Sequence, residues 1–204
     1  EVLSWVYEAR KQMRIVLASN NQHKLQELVS VLPASLDLVF QGELGVEGAA
    51  ETGSTFIENA ILKARHAAMS CDLPAIADDS GLEVDFLKGS PGIYSSRFAG
   101  EGATDEENNE KLLAALEQTP AEERNARFQC VIVFMKHEHD PTPLVAQGTW
   151  EGRILTHPRG KSGFGYDPLF YIPSLEKSAA QLSEAEKNQI SHRGIALSRL
   201  QKLL

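Results

Sequence analysis

The chain has 204 residues, 42% of them hydrophobic, and its 20 Lys and Arg against 28 Asp and Glu leave a formal charge of −8. That length supports one large domain or two small lobes with a sizeable core, and no run approaches the roughly 20 apolar residues of a membrane helix. The acidic balance argues against a general nucleic-acid binder, which would carry a basic stripe, while a few placed lysines and a metal would suffice for a phosphate-bearing small substrate.

Residues 1–12 show no basic segment followed by an apolar one, so they do not read as a signal peptide. Met13 directly precedes a strand and reads as an alternative start. Residues 1–12 are then an N-terminal extension without a catalytic role, native or left over from expression, and 13–204 form the working domain. Residues 14–19 read as a buried strand, followed by a polar turn at Asn20 and Asn21. Leu25, Leu28, Val29 and Leu32 recur at helical spacing until Pro33 stops the helix. A second strand is expected over 36–40, and a Gly/Glu-rich loop over 41–52. A helix follows over 55–71, with Ile57, Ala60, Ile61, Ala64, Ala67 and Ala68 on one face.

Residues 75–77 form a short apolar run that stops at Asp78, Asp79, Ser80 and Gly81, with a continuation over 82–87. Residues 104–117 read as an amphipathic helix packing Leu112, Leu113 and Leu116. Residues 127–136 and 144–153 read as long antiparallel strands joined by a Pro-containing turn over 139–143. Cys130 lies in the first of these as a small core residue. It is far from Cys71 and the pair has no metal-ligand spacing, which fits a reduced intracellular compartment. A Gly-rich loop spans 158–166. Ser183 and Glu186 stand at capping-box spacing, and Leu197, Leu200 and Leu204 continue an apolar stripe after a break near Ser191. Helix-separated and hairpin-connected strands together indicate a mixed sheet in an α/β fold of partly α+β character, with two lobes around a cleft.

The strand end at Asp78, Asp79 and Ser80 admits two readings. Carboxylates there suit Mg²⁺, which usually binds through one or two of them plus substrate phosphates; the same residues also make an ordinary Asx-type turn. The first strand–helix turn, with Ser19, Asn21 and Lys24, exposes free N–H groups and the positive end of a helix dipole to a phosphate, or Ser19 and Asn21 are simply N-caps. It is not a Walker A loop. Asn59 and Lys63 are neighbours on one helix face. Glu51 is either a first-turn acid or a carboxylate sharing a metal with Asp79. In the 162–168 segment, Phe164 and Tyr166 set among glycines would let the backbone approach a flat ligand, with Asp167 as an acceptor; a bulge or hairpin with exposed aromatics is the plain alternative. Lys187, Ser191, His192 and Arg193 cluster where a solvated helix end would look similar.

Taken in order, these strings match a known pattern: Ser19-x-Asn21-x-x-Lys24; Glu51-Thr52-Gly53-Ser54-x-Phe56-x-Glu58-Asn59-Ala60 with Lys63; and Ala77-Asp78-Asp79-Ser80-Gly81-Leu82. They continue with Pro91-Gly92-x-Tyr94-Ser95-x-Arg97, Gly163-Phe164-Gly165-Tyr166-Asp167-Pro168 and Lys187-x-x-x-Ser191-His192-Arg193. From Met13 onward the chain closely resembles the inosine triphosphate pyrophosphatase family, the bacterial dITP/XTP pyrophosphatases.

The resemblance implies two lobes around a long twisted mixed sheet with a central substrate cleft. It also implies a cytoplasmic homodimer that binds neither nucleic acid nor membrane. The reaction it implies is Mg²⁺-dependent hydrolysis of noncanonical purine nucleoside triphosphates (dITP, ITP, XTP) to monophosphate and pyrophosphate, which cleanses the nucleotide pool. In that reading Asp79 is the metal-binding carboxylate and general base, Glu51 a second metal contact, and Asp78 and Asn59 possible support. Lys24 and Lys63 cradle the phosphates with Ser19, Asn21 and Ser80 hydrogen-bonding nearby, and Gln22 and His23 are counted among the substrate-binding residues. Phe164 stacks on the base, and Gly165, Tyr166, Asp167, Lys187, His192 and Arg193 line the base and sugar side. Arg193, a donor only, would favour a 6-oxo purine over adenine, so Arg193→Ala is expected to raise KM for ITP far more than it perturbs stability. A septum-formation-type pyrophosphatase for modified pyrimidine nucleotides and a non-catalytic nucleotide-binding protein are the alternatives.

Overall fold

The computed structural model describes residues 13–19, 21–32 and 36–204, apart from the side chains of Gln22 and His23. The extension over 1–12, Asn20 of the first turn and the helix stop at Pro33 lie outside the described residues. The strands are β1 (Arg14–Leu17), β2 (Asp37–Phe40), β3 (Ala75–Val84), β4 (Asn125–Met135), β5 (Leu144–Ile154), β6 (Phe170–Ile172) and β7 (Lys177–Ser178). The helices are α1 (Gln22–Val31), α2 (Phe56–Cys71), α3 (Asp105–Ala115), α4 (Glu184–Ile190) and α5 (His192–Gln201).

All seven strands join one sheet in the order β2-β1-β3-β4-β5-β6-β7. β1 runs parallel to β2 and β3, and every later pairing is antiparallel. The mixed α/β architecture expected from the sequence is borne out. Ile15, Val16 and Leu17 of β1 are fully buried, as a parallel strand covered on both faces requires. Local chemistry sets the helix starts: Asn21 accepts the Lys24 N–H, Thr55 the Glu58 N–H, and Ser183 with Glu186 makes the expected capping box.

Side-chain alternation divides the core. Ile76, Cys130, Ile132, Phe134 and Ala146 pack with Leu25 and Leu28 of α1 and Leu197 and Leu200 of α5. Ala75, Ala77, Val131, Val133 and Met135 face the alanines Ala60, Ala64, Ala67 and Ala68 of α2. Further along the same strands a third cluster gathers Leu82, Val84, Phe128, Trp150 and Ile154 with Leu112 and Leu116 around α3. The long strands therefore run through two hydrophobic regions. Between them, on β3, lie Asp78, Asp79, Ser80 and Gly81.

This corrects the sequence reading of a strand that ends at Asp78. β3 continues to Val84, with Asp78, Asp79 and Ser80 paired to Ile132, Val131 and Cys130 of β4. The ladder with β4 satisfies the backbone of residues that would otherwise favour a turn. On the other edge β1 stops at Leu17, and the last bond joins the Ala18 N–H to the Ile76 carbonyl. The crevice thus opens beside β3 rather than at its tip. Some apolar positions also depart from expectation: Val29 is 45%, Ile57 39% and Leu204 51% exposed. The buried stripe of α1 is Leu25, Leu28 and Leu32, Ile57 precedes the first packed turn of α2, and α5 ends at Gln201 before Leu204. β6 and β7 were not expected, because strands so short carry no readable alternation.

α5 approaches β5 at Gly148, where a Cβ would collide with the backbone of His192 and Ala196. Backbone cannot yield as a side chain tip does. Gly148→Ala is expected to destabilise the fold by about 3 kcal/mol, read by urea denaturation; a loss below about 0.5 kcal/mol would mean that α5 shifts freely over the sheet.

Candidate active site

Successive strand residues point to opposite faces, so β3 sends Asp78 and Asp79 in different directions. Asp79 faces α2. Its carboxylate accepts from Lys63 Nζ at 3.0 Å and from Asn59 Nδ2 at 3.3 Å. The same Lys63 ammonium donates to Glu51 Oε1 at 2.8 Å, and Arg97 reaches Glu51 Oε2 at 3.3 Å. Fully buried Asn59 also accepts the Gly53 N–H at 2.8 Å, tying the Glu51 loop to the start of α2. Glu51 and Asp79, far apart in sequence, thus converge on one ammonium group.

Asp78 faces α1 and α5. It pairs with Lys24 at 3.2 Å and Arg193 at 3.4 Å, and Arg193 also donates to Ser80 Oγ at 3.0 Å. Arg193 further pairs with Glu27, which stands 3.4 Å from Lys187. Lys187 donates to Asp167 at 2.6 Å, and Asp167 accepts the Phe164 N–H at 3.0 Å. A continuous chain of charges therefore runs from Asp78 to the glycine-flanked loop. The structure places Asp78 in this chain, apart from the Glu51–Asp79 pair that it was expected to support.

The two aspartates are pushed in opposite directions. Burial raises the Asp79 carboxyl above its ordinary value, with the charges of Lys63 and Lys24 limiting the rise. Burial acts on Asp78 in the same sense, but Lys24 and Arg193 overwhelm it and hold the group well below the carboxylate range. Glu51 is likewise lowered, because Lys63 and Arg97 outweigh its burial. Burial disfavours the Lys63 ammonium, yet Asp79, Asp78 and Glu51 raise its pKa. Asp167 is raised by burial against the pull of Lys187. His192 falls well below its usual value through burial and the neighbouring charges of Arg193 and Lys187, so it is neutral.

Asp79, Glu51, Asp167 and His192 line one cleft, with Asp78 and Lys63 set behind its wall. Asn21, Lys24, Glu51, Asp79 and Ser80 stand at one end, and Phe164, Gly165, Asp167, Lys187, His192 and Arg193 at the other. At the second end Lys187 Nζ lies 4.6 Å and Arg193 Cζ 5.9 Å from the centre of the Phe164 ring, within cation–π range. Gly163 takes φ +79°, and a Cβ there would meet the Asp167 carboxylate, so any other residue would be strained and would displace Asp167. His192 stacks on Phe128 at 4.8 Å. Its Nδ1 and the Nε of Arg193 are buried without a hydrogen-bond partner among the described residues.

Several expected residues prove partly structural. Tyr166 is nearly buried in the α3 core, donating its hydroxyl to the Ser95 carbonyl at 2.8 Å. Ser19 accepts the Asn21 N–H at 3.2 Å, and Asn21 caps α1. The side chains of Gln22 and His23 lie outside the described residues. Glu27, Arg97, Asp105 and Phe128 carried no expected role. Of these, Arg97 ends one of the ordered strings, and Glu27 lies one helical turn from Lys24 on the same face.

Residues 15–203 match the Ham1 family. The chain is 60% identical over 188 residues to the dITP/XTP pyrophosphatase of Photobacterium profundum, covering 92% of this chain and 95% of that protein. It is 61% identical over 185 residues to the dITP/XTP pyrophosphatase of Yersinia pseudotuberculosis, covering 90% and 94%. A HAM1 protein from Coxiella burnetii superposes with a TM-score of 0.89 at 52% identity, over 94% of this chain and 98% of that one. The resemblance carried by the ordered strings is borne out, and the chain belongs to the Ham1 family.

Proposed function

We propose that the protein is a nucleoside triphosphate pyrophosphatase that hydrolyses dITP, ITP and XTP to the monophosphate and pyrophosphate, cleansing the nucleotide pool. The observation that carries this reading is the cleft with two chemically different ends. One holds paired carboxylates with ammonium groups, and the other a cationic aromatic wall. A concave cleft with a few convergent polar groups suits a small-molecule ligand, and the relatives named dITP/XTP pyrophosphatase align over nearly their whole length.

Lys24 and Lys63, with the N-terminus of α1, provide the positive charge for a triphosphate. Asp79, held by Lys63 and Asn59 at the carboxylate end of the cleft, takes a proton from the water that attacks phosphorus. The bond between the α- and β-phosphates breaks, and pyrophosphate leaves. Asp78 stays ionised and holds Lys24 and Arg193 in place. Environments that drive two neighbouring carboxyls apart commonly divide such roles.

The donor set fits a divalent ion. Glu51 and Asp79 already lie within 3.0 Å of one cationic group, and Mg²⁺ asks for one or two carboxylates besides phosphate oxygens. When bound there, Mg²⁺ would offset the charge that develops on the phosphate oxygens. At the other end, the Arg193 Nε donor has no partner among the described residues, and an acceptor on a 6-oxo purine would satisfy it, since a buried unpaired donor is costly. A homodimer in the cytoplasm completes the proposal.

The test is pyrophosphate release from dITP, XTP, dGTP, dATP and dUTP, with and without Mg²⁺. Release from dITP and XTP far above the others, and only with Mg²⁺, is expected. Preference for dUTP would point to the pyrimidine-type enzyme, and no release from any of them to a binding protein.

A further inference from the structure

Phe164 stands on a turn that has little conformational preference of its own. Its neighbours Gly163 and Gly165 take φ +79° and +60°, a region that glycine enters without cost and leaves as easily. Neighbouring groups must hold the ring. Asp167 bonds Phe164 twice: its carboxylate accepts the Phe164 N–H at 3.0 Å and its own N–H donates to the Phe164 carbonyl at 3.3 Å. Two further bonds come from α3. The Gly165 N–H donates to Asp105 Oδ2 at 2.6 Å, and Asn109 Nδ2 donates to the Gly165 carbonyl at 2.8 Å. Two side chains one helical turn apart thus take both polar groups of a single residue.

The helix that makes this clamp is itself fixed. Leu112 and Leu116 are fully buried in the core. Buried Asn108 accepts the Ala99 N–H at 2.8 Å and donates to the Ser96 carbonyl at 3.3 Å, next to Arg97, which reaches Glu51. α3 therefore spans from the carboxylate end of the cleft to the aromatic end. The orientation of Asn109 is not arbitrary. Its amide nitrogen donates to two carbonyls, of Asp105 and Gly165, at 2.7 and 2.8 Å, while its Oδ1 is buried without a partner among the described residues. A flipped amide would set oxygen against both carbonyls.

We propose that Asp105 and Asn109 are positioning residues for nucleotide binding: their clamp on Gly165 holds the Phe164 ring as the wall against which the base is bound. The role rests on the proposed function, whereas the clamp itself does not. Asp105→Ala removes one bond, and Asn109→Asp replaces a donor by a carboxylate facing two carbonyls with almost no change of shape. Asp105→Asn keeps an acceptor oxygen and is the conservative control.

Two measurements decide it. Without nucleotide, hydrogen exchange at the 163–166 turn is expected to speed up about tenfold or more in Asp105→Ala and Asn109→Asp, and much less in Asp105→Asn. With dITP, KM is expected to rise about tenfold in the first two variants while kcat changes less than about threefold, and Asp105→Asn recovers most of the loss. Unchanged exchange would overturn the clamp. Faster exchange with unchanged KM, or equal losses in kcat from all three variants, would overturn the positioning role. If the wild-type protein releases no pyrophosphate while exchange still responds, the functional reading fails, and with it the positioning role, but not the clamp.

Discussion

Asp79→Asn is expected to lower kcat for pyrophosphate release from dITP by about 100- to 10,000-fold, the range for loss of a positioned general base. Asparagine keeps the shape and the acceptor for Lys63, so the Glu51–Lys63 pair can stay in place. Stability should not fall. A carboxyl whose folded-state pKa is raised stabilises the fold in its protonated form, and that contribution is lost as pH rises through the folded pKa. At neutral pH the ionised Asp79 therefore weighs against folding, and the neutral amide relieves it. A thermal midpoint at or above that of wild type, together with a collapsed kcat, is the expected pair of results. Residual activity within about tenfold of wild type would remove Asp79 as the base.

Arg193→Met is expected to cost about 3–5 kcal/mol of folding stability at pH 7, because it leaves two carboxylates, Glu27 and Asp78, buried beside a missing partner. Arg193 is itself only 1% exposed. This revises the expectation from the sequence that an Arg193 substitution would show mainly in KM. The sign with pH follows from Asp78. Its folded-state pKa is depressed, so its contribution to stability is present above the ordinary value of 3.8 and is lost as pH falls toward the folded value. The gap between wild type and variant should narrow in that acid range. The double variant Glu27→Gln/Arg193→Met should recover part of the loss at pH 7. Urea unfolding at several pH values checks each point, and a single-variant loss below about 1 kcal/mol would show that the charges are solvated rather than buried.

The sequence alone carried much of the fold. Alternation over β4 and β5 and the alanine face of α2 depend on neighbours close in the chain, as do the capping residues of α1 and α4, and all could be read there. The ordered strings also marked most of the residues that now line the cleft. The partner assignments, by contrast, were hidden. Asp78 and Asp79 are adjacent and chemically identical, and only the pleat of β3, fixed by its ladder with β4, turns one toward Lys63 and the other toward Lys24 and Arg193.

Burial raises both carboxyls, and the charges of Lys24 and Arg193 reverse the direction at Asp78 alone, a difference that no local pattern encodes. The distant partners of Glu27 and Asp105, Arg193 and Gly165 respectively, were likewise hidden, since each comes from a remote segment. Local propensity and periodicity thus determined which elements form. The closing of β3 against β4 while β1 stops short decided where the crevice opens, and which charges face each other across it.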